Sequence, residues 1–488
     1  MASTEEEWSV SANDAVVLSM VRPGSDGIET VAEFSPTFTY PIFGEAEQIF
    51  GYKELEIGIQ FAAHDGSPHV DISYKKKFPG VKSTQALDLN KTLKEFLPPS
   101  AFQQDYDERL QNERAQWTPP GELVHKYSKK GQDFEVWAGS LLDPKVKQLV
   151  NNVQILVLFY IEAGSLLNLD EVDWSLDRWR VYFVYEKATP STAAVSSYTF
   201  MGYSTTYRFW RYAVPRTQAT QGSIIEHFPN LPSISPKQLD SRLRVSQFLL
   251  LPPYQKSGHG SQLYQAIYNE VIADQTIYEL TVEDPSEEFD QLRDSCDWKV
   301  LEPQFRAAHL AIDASKPAGS KRIERVPTAV LLPLEVLTSI RTKNKIAPRQ
   351  FARLTELYLL SLIPFSHRST GGASLTKLKL QKHTNKDVND RIYYWWRILL
   401  KQRIYRKNKD VLRQADTEEK FNGLEDSARG QEDEYEGLLM LFALRQASAQ
   451  GLTGNGESSI PRKRPVVEDD DEEEVGELEV SMPKRARP

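Results

Sequence analysis

The sequence predicts an α+β protein in which sheets dominate up to about residue 302 and helices follow. Apolar and polar residues alternate over short runs, as in Leu55, Ile57 and Ile59, which is the period of a half-buried strand. Beyond residue 302 the apolar residues recur at spacings of three and four, which is the period of a helix. At 488 residues, of which 40% are hydrophobic, the chain can form several cores, because single cores stop growing near about 250 residues.

These patterns divide the chain into five parts. We expect an N-terminal segment (1–32), a mixed α/β domain (33–133), a central domain (134–301), a helical domain (302–448) and a charged tail (449–488). The tail is rich in Gly, Ser, Pro and charge, so we expect it to be disordered. Its two basic clusters, 462–464 and 484–487, flank an acidic run at 468–474. Either cluster could be a nuclear import signal, or the tail could be a solvated segment that neutralises itself.

Composition excludes several classes of function. A net charge of −9 argues against general affinity for nucleic acid and favours a basic partner. The single cysteine, Cys296, allows neither an intramolecular disulfide nor a cysteine-based metal cluster, and we expect no metal. Glu5, Glu6 and Glu7 follow Met1 where a secretory signal would carry basic residues, and the longest apolar stretch, 153–161, is too short to span a bilayer.

Individual elements can be placed within this plan. We expect a helix through 149–162, strands over 180–187 and 198–212 joined as an antiparallel hairpin, and a strand over 277–282. In the helical part, Pro348 stands where a first turn tolerates proline. The segment 392–405 predicts an amphipathic helix whose aromatic face packs into a core.

The most informative stretch is 244–283. An apolar strand, 245–250, is stopped by two prolines and followed by a loop with Gly258 and Gly260 and then by a helix over 261–272. A helix N-terminus presents unpaired N–H groups, and glycines let an anion approach the main chain, so a pyrophosphate fits there. By itself such a loop is more often a tight turn.

The loop also carries a family signature. Gln255-x-x-Gly258-x-Gly260 is similar to the acetyl-CoA signature of the GNAT acetyltransferase superfamily. The longer stretch 245–260, with 282–286 and 291–294, resembles the catalytic subunits of type B histone acetyltransferases. Further similarity lies in 38–44, 49–53, 202–212 and 345–353, so the resemblance covers about residues 33–363 and continues more weakly through the basic helix.

The resemblance implies a GNAT core, that is, a mixed, mostly antiparallel sheet with flanking helices, and acetyl-CoA as co-substrate. The cofactor-binding residues that it implies are Phe248, Leu249, Leu250, Gln255, Lys256, Ser257, Gly258, His259, Gly260, Ser261 and Ser286. The substrate-binding residues that it implies are Glu45, Ala46, Glu47, Tyr207, Arg208, Phe209, Trp210, Arg211 and Tyr212. Acidic side chains and aromatic walls suit a basic histone tail, whereas Arg208 and Arg211 do not fit that argument and are assumed to point elsewhere.

Acetylation of lysine needs a base, because at pH 7 roughly one lysine in 2,500 is neutral if its pKa is about 10.4. The resemblance places the general base on Glu283, with Asp284 as a possible assistant and Glu186 as a further acidic residue near the substrate lysine. Without the resemblance each would read as a solvated carboxylate at the end of a strand. His259 is interpreted as a packing or capping residue and Cys296 as a small buried one.

The resemblance further implies the substrate and partners. These are lysines in the N-terminal tail of newly synthesised free histone four, a WD-repeat histone chaperone subunit and, through it, the other core histones. A role in histone deposition and chromatin assembly, and in DNA repair or silencing, would place the chain in both cytoplasm and nucleus, with no membrane and no direct nucleic-acid binding. Two alternatives stay open: a histone-binding escort with incidental catalysis, and a GNAT enzyme for another protein or amine.

Overall fold

The computed structural model describes residues 7–24, 27–80, 84–111, 116–189, 195–211, 239–314, 328–368, 387–414 and 416–449. The chain divides into two compact units, residues 1–439 and 440–488. In the second unit the described residues, 440–449, are the end of the last helix. Tyr212 and most of the predicted tail, residues 450–488, lie outside the described residues.

The described strands are β1 (Ser9–Ser11), β2 (Val16–Gly24), β3 (Gly27–Phe34), β4 (Gln48–Phe50), β5 (Tyr52–Lys53), β6 (Glu56–Ala62), β7 (Pro68–Ser73), β8 (Lys76–Lys77), β9 (Glu122–Lys129), β10 (Gln132–Ser140), β11 (Trp179–Lys187), β12 (Tyr198–Trp210), β13 (Ser241–Leu250) and β14 (Ile277–Val282). The described α-helices are α1 (Ala12–Ala15), α2 (Tyr40–Phe43), α3 (Leu89–Leu93), α4 (Tyr106–Leu110), α5 (Pro144–Val153), α6 (Ile155–Tyr160), α7 (Asp173–Leu176), α8 (His259–Ala273), α9 (Glu287–Ala307), α10 (Thr328–Leu331), α11 (Leu334–Lys343), α12 (Pro348–Ser361), α13 (Val388–Lys407), α14 (Lys409–Gln414) and α15 (Thr417–Ala449).

The central sheet has six strands in the order β14-β13-β12-β11-β10-β9. Neighbouring strands are antiparallel except β13 and β14, which are parallel because α8 crosses between them. The predicted hairpin over 180–187 and 198–212 is confirmed as β11 and β12. The sheet is therefore mixed and mostly antiparallel, and with its flanking helices it confirms the predicted α+β class.

An N-terminal sheet of four strands, in the order β3-β2-β6-β7, packs against this core. Ile57, Ile59 and Phe61 of β6 are all buried, as their alternation with polar residues predicts. They share one apolar cluster with Phe159 of α6 and Tyr203 of β12. The predicted helix over 149–162 is present as the two consecutive helices α5 and α6, which lie in this shared core.

Three predicted domain boundaries, after residues 32, 133 and 301, fall inside β3, β10 and α9 respectively. They were placed where the polarity pattern changes along the sequence. A strand or helix continues through such a change because its backbone hydrogen bonds do not depend on side-chain polarity. The division of the chain into these parts, and a separate role for each part, stay predictions.

The helical part is organised around α12 and α13. α12 begins at Pro348, as predicted, and the aromatic face of α13 is buried, with Trp396 fully enclosed. The indole of Trp396 donates to the carbonyl of Glu356 at 2.8 Å. The interpretation of this aromatic face as core packing is confirmed.

A buried polar group lies beside this aromatic face. The Glu432 carboxylate accepts hydrogen bonds from the Tyr393 hydroxyl and from Nη1 of Arg397, both at 2.6 Å. All three side chains are buried.

None of the helices described here combines the length and the apolarity that a bilayer span requires.

Candidate active site

The two parallel strands of the central sheet separate where the signature begins. Their register ends at the pair Val245 and Val282, and the Glu283 N–H then donates to the Val245 carbonyl at 2.9 Å. β14 ends there, whereas β13 continues to Leu250. Residues 247–250 of β13 therefore have a strand partner on the β12 side and an open edge on the β14 side.

The open edge offers backbone donors. The Gln247 carbonyl accepts from Ser204 Oγ at 2.7 Å, and the Leu251 N–H donates to the Met201 carbonyl at 2.9 Å, both toward β12. Because backbone direction alternates along a strand, the N–H groups of Phe248 and Leu250 point toward the open edge. This edge fits an amide-bearing pantetheine arm and supplies fixed N–H donors for a developing oxyanion.

A β-bulge sets the position of the predicted base. In the β12–β13 ladder Thr206 pairs with Val245 and Thr205 with Gln247, so Ser246 is the extra residue. Its hydroxyl donates to Oε2 of Glu283 at 2.5 Å, and Nη2 of Arg244 lies 3.1 Å from Oε1. The Glu283 side chain is 37% exposed, so its carboxylate is both held in place and reachable by a substrate or by water.

The glycine loop enters α8 as the motif requires. α8 begins at His259, two residues earlier than predicted, and its N-cap Gly258 has φ +84° and no side-chain cap. The first-turn N–H groups of such a helix lack intrahelical partners. A Cβ on Gly260 would lie 2.7 Å from Cδ1 of Leu292, so a side chain here would require the Leu292 side chain to shift. The loop fits a pyrophosphate.

His259 and Ser286 support this loop and the neighbouring helix. The His259 ring packs 4.6 Å from the Phe134 ring, and its Nδ1 forms a hydrogen bond with the Tyr127 hydroxyl at 2.8 Å. Burial, with a smaller effect of the Lys129 charge, lowers the pKa of His259. Ser286 is the N-cap of α9, where its Oγ accepts from the Phe289 N–H at 3.3 Å. His259 therefore packs, as interpreted, and Ser286 fixes the start of α9.

Sequence reasoning missed a cation at the loop. Lys129, at the end of β9, donates from its Nζ to the Ser257 carbonyl, and this nitrogen lies 2.8 Å from where a Gly258 Cβ would stand. The two residues are 128 positions apart, so no local pattern joins them. Lys129 thus adds a positive charge beside Lys256 at the predicted phosphate site.

We expect Lys129→Gln to raise KM for acetyl-CoA about three- to ten-fold, because a charge-assisted contact to phosphate is lost. The rise should shrink at high salt, because the lysine is exposed and screened. Lys130→Gln, which removes the same charge one residue further on, is the control. Steady-state kinetics at two salt concentrations measures both. An equal rise in the two variants would contradict a specific contact.

Glu186 is separated from Glu283 along the sheet, and its position near the substrate lysine stays a prediction. Arg180 of β11 and Val245 of β13 are both paired with Thr206, so Glu186 lies six residues along its strand from the level of the base. At about 3.3 Å per residue this is about 20 Å along the sheet, with two strands between β11 and β14. Glu186 lies instead near Tyr254, whose pKa is raised to about 12 by burial and then by that carboxylate. Asp284 follows Glu283 with φ +28° and an exposed side chain.

The predicted substrate residues on β12 divide between two faces of the sheet. Tyr207 and Phe209 lie together, with ring centroids 4.7 Å apart, and the Arg244 guanidinium stands 4.6 Å over Phe209. Arg208 and Trp210 face the opposite side, where Arg208 pairs with Asp274 at 2.6 Å. Arg208 thus points away from the base, as assumed, and Trp210 does so too because side chains alternate along a strand. Arg211 is exposed.

The Glu47 carboxylate forms hydrogen bonds within the protein. Its carboxylate accepts from the N–H groups of Thr39 at 2.5 Å and Tyr40 at 3.1 Å, and from the Asn13 amide at 2.9 Å. The Thr39 hydrogen bond, the largest effect, holds its pKa below the usual range. Glu47 therefore orders the segment that precedes α2, whereas Glu45 and Ala46 are exposed.

Comparison with known proteins gives one consistent result. The family described as "Histone acetyl transferase HAT1 N-terminus" matches residues 8–162. A protein of Aspergillus fumigatus named "Histone acetyltransferase type B catalytic subunit" is 44% identical over 96% of this chain and 86% of its own length. Proteins of the same name from Aspergillus oryzae (43% identical; 96% of this chain, 92% of theirs) and Emericella nidulans (45%; 91% of each) agree.

A solved aminoglycoside acetyltransferase from an uncultured soil metagenomic sample aligns with 39% of this chain and 93% of its own at 13% identity, with a TM-score of 0.20. That similarity is too low to add to the assignment. The two Aspergillus relatives align with 96% of this chain. The chain belongs to the family of type B histone acetyltransferase catalytic subunits.

Proposed function

We propose that the chain is a histone acetyltransferase that transfers acetyl from acetyl-CoA to lysines in the N-terminal tail of newly synthesised free histone four. The observation that carries this proposal is the Glu283 carboxylate, held by Ser246 and Arg244 where β13 and β14 separate. Family membership supports the acetyltransfer chemistry. The net charge of −9 suits a basic histone as the acceptor.

Different residues of the chain bind acetyl-CoA and catalyse the transfer. Acetyl-CoA supplies the acetyl group as a thioester, with its pyrophosphate on the loop 255–261 and its arm along 248–250. Glu283 takes the proton of the attacking lysine amine, directly or through water, as the new N–C bond forms and the C–S bond breaks. The N–H of Phe248 or Leu250 stabilises the negative charge that develops on the carbonyl oxygen. Asp284 is a possible assistant to the base.

The substrate lysine approaches along the face that carries Tyr207 and Phe209. These rings lie beside Arg244, which itself contacts Glu283, so they adjoin the base. Aromatic walls favour a long aliphatic chain with a basic end. Glu45 is exposed and would contribute negative charge to a basic tail.

We expect Phe209→Leu to raise KM for a histone-four tail peptide about three- to ten-fold through loss of an aromatic contact. Trp210→Leu, the adjacent residue on the opposite face, should leave this KM unchanged. Peptide titration at saturating acetyl-CoA measures both variants. If Trp210→Leu raised the KM for the peptide as much as Phe209→Leu, the peptide would not bind to one face of β12 alone.

The partners and setting belong to the same proposal. We propose a WD-repeat histone chaperone subunit as partner, which brings the other core histones indirectly, and a role in histone deposition and chromatin assembly in cytoplasm and nucleus. The acceptor is tested with labelled acetyl-CoA and three substrates: free histone four, assembled nucleosomes and a small polyamine.

Transfer to free histone four in preference to nucleosomes supports the proposal. Tight binding of histone four without transfer would indicate an escort. Transfer to the polyamine with none to histone would indicate an enzyme for small amines.

A further inference from the structure

A basic cavity lies on the side of β14 away from β13. We use this name for a cavity of about 360 Å³ whose wall carries five cationic side chains, Arg293, Arg349, Arg353, Arg403 and Lys407, and one carboxylate, Asp290. Thr281 and Val282 of β14 also line it. The proposed acetyl-CoA gap lies between β13 and β14, whereas Ile346, next to the cavity residue Ala347, forms a bridge with Leu280 of β14.

The N-terminus of α12 opens into this cavity. α12 has 14 residues and begins at Pro348, after the N-cap Ala347, which has no side chain able to cap it. Ala347, Arg349 and Gln350 all line the cavity. The N–H groups of a helix start are unpaired and carry partial positive charge, which favours an anion.

A buried arginine in the cavity wall has one donor without a hydrogen bond. Arg293 is 6% exposed and lines the cavity, and its Nε has no hydrogen-bond partner. The nearest carboxylate oxygen, Oδ2 of Asp297, is 3.6 Å away, beyond hydrogen-bonding distance. Nη2 of Arg293 donates to the Leu280 carbonyl at 3.4 Å, so Nε is the Arg293 donor that a bound acceptor would satisfy.

The five cationic side chains of the cavity differ in their ion-pair partners. Arg353 and Arg403 are paired with Asp294 at 2.8 Å and Glu356 at 2.9 Å, acidic residues that do not line the cavity. Arg349 and Lys407 have no ion-pair partner among the described residues. The Arg349 charge, followed by burial, lowers the pKa of Lys407, and burial raises the pKa of Asp290. Arg349 and Lys407 are both exposed side chains of the cavity wall, and Asp290 is the one carboxylate of that wall.

We infer that the basic cavity binds a small ligand carrying two or more phosphate groups, at a site separate from that of acetyl-CoA. Arginine forks and a helix N-terminus match the geometry of phosphate oxygens better than that of a single carboxylate. A cavity of about 360 Å³ admits a small molecule rather than a folded partner. The inference does not depend on the proposed substrate or on the general base.

The test uses the full chain saturated with coenzyme A, which fills the glycine loop, and inorganic pyrophosphate as the probe in isothermal titration calorimetry. We expect one further pyrophosphate to bind. Arg349→Gln with Lys407→Gln should weaken this binding at least about ten-fold, because two charge-assisted contacts are lost. Arg406→Gln, an exposed neighbour on α13 that does not line the cavity, should leave it unchanged.

A gain of affinity provides a result that misfolding cannot imitate. Asp290→Asn removes the one carboxylate of the cavity wall and should tighten pyrophosphate binding several-fold. Retained coenzyme A binding shows that each variant is folded. Displacement of pyrophosphate by coenzyme A, equal weakening by Arg406→Gln, or no pyrophosphate binding at all would each overturn the inference.

Discussion

Replacement of Glu283 by Gln should lower kcat about 10²- to 10⁴-fold, the usual contribution of a general base. The amide is nearly the same shape and can still accept the hydrogen bond from Ser246, so the bulge and strand end should stay in place. Only the ability to take a proton is lost. Binding of acetyl-CoA should be unchanged, because the glycine loop and the open edge of β13 do not include this residue.

The pH dependence gives a second readout. In the variant, the lysine must lose its proton to water before attack, so its activity should keep rising toward high pH and the deficit should shrink there. Glu287→Gln, a change of the same kind on an exposed residue in the first turn of α9, is the control. Unchanged turnover in Glu283→Gln would remove this residue from the role of base.

Replacement of Glu432 by Ala should lower the free energy of unfolding by about 3–5 kcal/mol, because one partner of a buried ion pair is removed. Arg397, 5% exposed, would keep Glu425 as a carboxylate partner, and the hydrogen bond that the Tyr393 hydroxyl donates to Glu432 would be lost. The urea midpoint and the melting temperature measure the effect. Asp433→Ala, the exposed neighbour on α15, should change neither.

A double replacement separates the buried charge from the packing. Glu432→Leu combined with Arg397→Met leaves no unpaired charge, and it should recover much of the stability because an apolar pair of similar volume can replace a buried ion pair. If Glu432→Ala were no more destabilising than Asp433→Ala, the buried pair would contribute little to the stability of this part of the chain.

Local patterns predicted those elements whose residues are close in sequence. Alternation predicted β6, turn residues predicted the β11–β12 hairpin, and the proline at 348 predicted the start of α12. The strand, glycine loop and helix of the signature are also contiguous, so their order followed from the sequence. Three predicted domain boundaries fall within a continuous strand or helix, at β3, β10 and α9.

The environment of a side chain could not be predicted in the same way. Glu186 and Glu283 both end strands, yet the register separates them by about 20 Å along the sheet. From the sequence Glu47 is expected to be exposed and available to a substrate. In the structure its carboxylate accepts hydrogen bonds from residues 13, 39 and 40. Register and long-range contacts are properties of the folded sheet rather than of any short segment.

By itself the sequence determined the α+β class and the acetyl-CoA signature, because both depend on residues that are neighbours along the chain, and the base was predicted from the family resemblance. Only the tertiary structure decided that Ser246 and Arg244 hold Glu283, that Lys129 reaches the glycine loop, and that α12 opens into a basic cavity. The physical reason is that these contacts join residues from distant parts of the chain. Their spacing is set by strand pairing and helix packing, which no local pattern encodes.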